Sequence, residues 1–219
     1  MSLTPSHRQT GLTAGRPRPM ETLTDRAGRG LLRAVAPTAL LLALMWAMFL
    51  VTLVAGRPLI GGLGLIPRSI AGVDGILFSP VLHGGWRHLI GNTTALLVLG
   101  PTAALVSRRP LALLAAAWLL SGAFSWLIGT PGVHIGASGI VYALTAFLLV
   151  YGIVARRVLA VAVSLVVAVT YLGSSLIGLL PQPGVSWTGH LAGAVAGVLL
   201  ALVWGRADRA ERRRRPLEV

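Results

Sequence analysis

The chain has no cysteine among its 219 residues, which removes disulfides, a thiol nucleophile and zinc-thiolate sites together. Lysine is missing as well, so all 19 basic residues are arginine, and only 6 acidic residues stand against them. Charge of either sign is scarce. Charged residues make up 11% and apolar residues 55% of the chain, with a mean hydropathy of +0.79, whereas soluble domains average roughly 25% charged and 45 to 50% apolar. Such a chain belongs in a bilayer.

The acids are also unevenly placed: none occurs between Asp74 and Asp208. A triad carboxylate, an aspartyl protease dyad and a carboxylate metal site are therefore excluded across that interval. The H-E-x-x-H signature of zinc proteases is absent too, and neither a metal nor a cofactor is expected. The arginines are clustered, with six between Arg8 and Arg33, six between Arg206 and Arg215, and pairs at Arg108/Arg109 and Arg156/Arg157. A nucleic-acid-binding protein would spread such a surplus over one folded face with aromatics interleaved. Here the arginines punctuate apolar runs, so the lipid bilayer is an expected partner and nucleic acid is not.

A membrane span needs about 20 largely apolar residues, and six segments qualify: 35–55, 84–106, 110–129, 137–155, 158–179 and 186–204. The reading is an all-α membrane protein, a six-helix core over 34–205 between a disordered tail (1–33) and a basic tail (206–219). The first tail is rich in Arg, Pro, Gly and Thr without apolar periodicity. The run from Val35 to Ala55 is long enough to span and lies too far from the start for a signal peptide. The Arg212–Arg215 run reads first as a topology signal, with anionic lipid as a second use. Both tails and the turns at 107–109 and 156–157 are basic, while the loops at 130–136 and 180–185 carry no formal charge. By the positive-inside rule both termini face the cytoplasm. The second, fourth and sixth spans then enter from the outer side.

Polar residues gather at those three entrances. His83, His88 and Asn92 open the second span, Ser138 and Tyr142 the fourth, Ser186 and His190 the sixth. Ionisable groups at membrane depth are costly and usually mark function. Ser138 sits in Gly136-Ala137-Ser138-Gly139, a turn that either caps a helix or holds a nucleophile beside unpaired helix N–H groups. Gly189, Gly193 and Gly197 recur every fourth residue, a ridge that means close helix packing. His190 on its edge can reach a serine on the neighbouring helix. Tyr142, four residues after Ser138, shares that serine's face and can brace an imidazole. His88 and Asn92, also four apart, read either as oxyanion donors or as polar glue between helices. His83 precedes the helix and reads as loop scaffolding. His134 has no evident partner. Asp74, in Gly72-Val73-Asp74-Gly75, suits a turn or helix cap.

Taken in order, His83-x4-His88-x3-Asn92, Gly136-x-Ser138-Gly139-x2-Tyr142 and His190-x2-Gly193-x3-Gly197 resemble the rhomboid family of intramembrane serine proteases over residues 35–204. The resemblance implies a six-helix rhomboid-like bundle in a bacterial plasma membrane, with transmembrane proteins as substrates. It implies Ser138 as nucleophile and His190 as general base, acting as a dyad without a cofactor. It further implies an oxyanion hole formed by His88, Asn92 and the Ser138 N–H, with Tyr142 packed on His190. The Trp-Arg pair found in the first outer loop of bacterial rhomboids is absent, and the loop reads Ile66-Pro67-Arg68-Ser69. One rival is a non-proteolytic rhomboid-like protein that binds membrane helices, disfavoured because serine and histidine are both present. A channel or transporter would show inverted repeats and mid-bilayer polar groups, and neither is seen.

Overall fold

A computed structural model describes residues 23–214. Six helices in it are long and apolar enough to cross a membrane, and no strand occurs among the described residues. Helical spans are what a bilayer demands, because a lipid-exposed backbone must satisfy its hydrogen bonds within the segment. The first span lies in α1 (Leu23–Ala55); after it, the short α2 (Arg57–Leu63) and α3 (Gly75–Phe78) belong to the loop between the first two spans. The second to fourth spans are α4 (Trp86–Val106), α5 (Pro110–Ile128) and α6 (Ser138–Ala155). The fifth, Val158–Gly178, is α7 (Val158–Val167), a π turn (Ala168–Leu172) and α8 (Gly173–Gly178). The sixth is α9 (Trp187–Arg214).

Local chemistry sets the ends. Gly56 adopts φ 70°, breaking the chain after α1, and Pro58 follows in the first turn of α2. Pro110 opens α5 where a missing N–H costs nothing. Arg156, at φ 52°, closes α6 in the left-handed conformation.

Helix extends into both expected tails. Helix α1 already includes Leu23, so residues 23–33 are helical where a disordered tail was expected, and the rest of that tail, 1–22, lies outside the described residues. No proline interrupts Leu23 to Val35, and a helix already nucleated in a span propagates cheaply. At the other end α9 includes Arg214, so the basic tail expected from 206 is helical over 206–214, and 215–219 lie outside the described residues. Arg212, Arg213 and Arg214 occupy the last turn, where cations favour the helix dipole.

The tightest seam joins α6 and α9. A Cβ on Gly193 would lie 3.0 Å from the Gly139 Cα, and one on Gly197 would lie 3.0 Å from the Ala143 Cα, both closer than packed side chains allow. Glycine ridges of this kind let membrane helices meet backbone to backbone. The fifth span is held far more loosely. Half of the most apolar window of α6 and of α9 is buried, against 17% for the fifth span.

Candidate active site

Ser138 is the first residue of α6, and the N-cap is Ala137. The serine is thus free of the capping role, while its N–H is among those that a helix start leaves without an intrahelical partner. The seam delivers His190 to it: Nε2 lies 3.0 Å from Ser138 Oγ. On the other side of the ring, Nδ1 lies 2.7 Å from the carbonyl oxygen of Gly178, at the end of α8. A carbonyl can only accept, so Nδ1 carries the proton. In the neutral ring Nε2 then presents its lone pair to the serine hydroxyl. Tyr142 stacks on the imidazole with centroids 4.3 Å apart and planes 6° from parallel, and its hydroxyl donates to the Ser175 carbonyl at 3.0 Å.

Gly136 holds the turn before the serine at φ 101°, a conformation reserved for glycine, and a Cβ there would overlap the His88 imidazole and sit 3.3 Å from Asn92 Nδ2. His88 and Asn92 therefore both lie against the backbone two residues before Ser138. His83 is more than loop scaffolding. It is fully buried, its Nδ1 faces the Val81 carbonyl at 3.4 Å, and its Nε2 accepts from Asn92 Nδ2 at 3.0 Å. Burial first, and then the neighbouring His88, push its pKa down to about 4, against the Val81 hydrogen bond, so the ring stays neutral and able to accept. One Asn92 N–H is fixed by His83, and the second remains available.

His134 acquires partners that the sequence did not name. Its Nε2–H donates to the Thr130 carbonyl at 2.7 Å, and Nδ1 then accepts from the Ser186 hydroxyl. Its backbone pairs with Leu65 in both directions, at 2.8 and 3.0 Å, which ties the loop between the first two spans to the turn before Ser138. Arg68 completes that tie. Its guanidinium donates to the carbonyls of Leu127 (3.2 Å) and Gly129 (2.8 Å), covering the end of α5, where free carbonyls carry the negative pole of the dipole. Trp126 Nε1–H returns a hydrogen bond to the Ser69 carbonyl at 3.0 Å. Loop and α5 are thus anchored without a Trp-Arg pair. Asp74 is exposed at the N-terminus of α3, while both His190 nitrogens are engaged elsewhere.

A small cavity of about 30 Å³ opens beside Ser138, lined by Ser79, Ser121, Ser125, His134 and Ser186 among others. It has room for about two waters. Ser121 and Ser125 were not singled out from the sequence, although two serines four apart in an otherwise apolar span are a readable signal. The carbonyl of Gly178 left no such signal, because any residue supplies one.

These features define a multi-span helical membrane protein whose polar groups converge at one end around a serine and a histidine. A model of the rhomboid domain matches residues 72–207, and the chain belongs to the rhomboid family, whose members are generally intramembrane serine proteases. It is similar to an uncharacterized protein of Mycobacterium tuberculosis, 38% identical over 232 residues that cover 97% of this chain and 94% of that one. An uncharacterized protein of Mycobacterium bovis matches to the same extent. A third, from Mycobacterium leprae, is 41% identical over 149 residues, covering 63% of this chain and 59% of its own.

Proposed function

We propose that this protein is an intramembrane serine endopeptidase that cuts transmembrane substrates near the outer face of a bacterial plasma membrane, through a dyad of Ser138 and His190. The carrying observation is the 3.0 Å approach of His190 Nε2 to Ser138 Oγ with Nδ1 held by the Gly178 carbonyl. The orientation rests on the basic turns and tails, which put both termini in the cytoplasm.

In the first half-reaction His190 Nε2 takes the hydroxyl proton as Ser138 Oγ bonds to the scissile carbonyl carbon. The carbonyl oxygen becomes an oxyanion, met by the Ser138 N–H, His88 and Asn92. Collapse breaks the C–N bond, Nε2–H protonates the leaving amine, and an acyl-enzyme ester remains. Water then attacks that ester with His190 again as base. A carboxylate product leaves and Ser138 is restored. The Gly178 carbonyl and the Tyr142 ring do the orienting that a carboxylate does in a triad. A helix must unwind to present its carbonyl, so the favoured substrates are spans weakened near the outer end by Gly, Pro or other small residues.

The test is cleavage of a reporter transmembrane helix by the purified protein in lipid. Ser138→Ala and His190→Ala should each reduce cleavage to background with expression and melting unchanged. Cleavage near the wild-type rate by either variant would overturn the dyad.

A further inference from the structure

At the end of the molecule opposite Ser138, three arginines tie helix ends together. Arg157 donates to the Val106 carbonyl at 2.7 Å, Arg212 donates to the Ala155 carbonyl, and Arg108 pairs with Glu211 at 3.1 Å. These three tie the ends of α4, α6 and α9 together. Asp208, buried in α9, accepts from the Tyr151 hydroxyl at 2.5 Å. Both carboxylates of α9, Asp208 and Glu211, are thereby engaged. Arg156, Arg209 and Arg213 stand apart. Arg209 and Arg213 are four residues apart on one face of α9, and Arg209 lies one turn beyond Gly205, whose Cβ would meet Val154 and Ala155, which brings it towards Arg156 at the left-handed end of α6. Glu211 falls about 200° around the helix from Arg209, at about 100° per residue, on the side of Arg108.

Three guanidiniums on adjoining helix ends, with no carboxylate partner among the described side chains, form a cradle for an anion. Arg156 directly follows the last residue of a span, Ala155, which puts the cluster at the depth of lipid headgroups. Apolar side chains towards the same ends of α6, α7 and α9 are open to lipid: Ile153, Val158 and Val203 are 66%, 89% and 61% exposed. We propose that Arg156, Arg209 and Arg213 bind the phosphate of an anionic phospholipid, whose acyl chains lie against Ile153, Val158 and Val203. Arginine suits the role, since its planar fork meets phosphate oxygens in pairs. Nothing in this site touches the serine and histidine pair, so it stands or falls apart from the proposed peptidase activity.

The full chain, reconstituted in nanodiscs of phosphatidylcholine with or without phosphatidylglycerol, is exchanged into detergent, and the retained lipid is counted by native mass spectrometry. Each basic residue at a membrane surface contributes about a fivefold preference for anionic lipid, so three predict a preference of roughly a hundredfold. Each of Arg156→Gln, Arg209→Gln and Arg213→Gln should reduce it about fivefold, which keeps the test open even if the triple variant fails to fold. Arg57→Gln, in the first outer loop, should leave it unchanged. Equal retention of the two lipids by the wild type, or a preference that survives all three changes, would overturn the proposal. Release of the phosphatidylglycerol by millimolar inorganic phosphate would do the same, since it would mean a soluble-anion site in place of a lipid site.

Discussion

The α6–α9 seam and the fifth span both hold His190, but by different means. On the seam, Gly193 and Gly197 lie against the Gly139 and Ala143 backbone, which leaves the two helices little freedom to slide. That contact fixes the distance between His190 and Ser138. The fifth span has no buried residue in its π turn or in α8, yet it supplies the Gly178 and Ser175 carbonyls that orient His190 and Tyr142. A rigid element thus sets the distance of the dyad, and a loosely packed one sets its tautomer. Precision in one does not require rigidity in the other, since a single backbone carbonyl suffices to pin an imidazole.

The strongest expected effects fall beside the seam, at the turn before Ser138. His88→Ala and Asn92→Ala should each lower kcat by about 10² to 10³, or ~2.7 to 4 kcal/mol, with little change in KM. A change confined to KM would make these residues helix glue or substrate contacts. Next is a matched pair of glycines. Gly193→Leu must push α9 from α6, with a stability loss of up to about 3 kcal/mol and a turnover loss of about 10²-fold for a misplacement of 1 Å. A Cβ on Gly173 in α8 would meet nothing within 4 Å, so Gly173→Leu should leave both melting and turnover near wild type. Similar losses from the two changes would erase the contrast between tight and loose elements. The smallest effect comes from pH. His83 falls from 6.5 to about 4 on folding, so between those values the unfolded chain binds more protons and stability drops as pH falls. From pH 7 to pH 5 this amounts to about 2 kcal/mol, measured by melting in detergent. His83→Gln should remove that part of the slope, and an unchanged slope would mean that His83 titrates normally.

Much of this arrangement was legible from the sequence, for reasons that can be named. The spans were readable because each carries about 20 apolar residues with charge only at its ends. The glycine turn, the glycine ridge and the helical spacing of Tyr142 each allowed Ser138, His190 and Tyr142 to meet without requiring it, and the expectation came from the three motifs taken in order. The helical course of 23–33 and the continuation of α9 to Arg214 were hidden because composition, which reads Arg- and Gly-rich segments as tails, says little about a helix propagating out of a span. The Gly178 carbonyl, the His134–Ser186 pair and the Arg68 contacts were hidden for a different reason. They depend on where irregular backbone runs, and no residue type marks that in advance.

That hidden His134–Ser186 pair makes the most direct measurement sharper, because one cavity holds two serines beside histidines. A serine-directed fluorophosphonate probe, applied to the wild-type protein in lipid with the modified peptide mapped by mass spectrometry, distinguishes them. Activation of Ser138 by His190 predicts one adduct on Ser138, lost in Ser138→Ala and strongly slowed in His190→Ala, with His134→Ala still labelled. An adduct on Ser186 that persists in Ser138→Ala, or no adduct in the folded wild type, would contradict it.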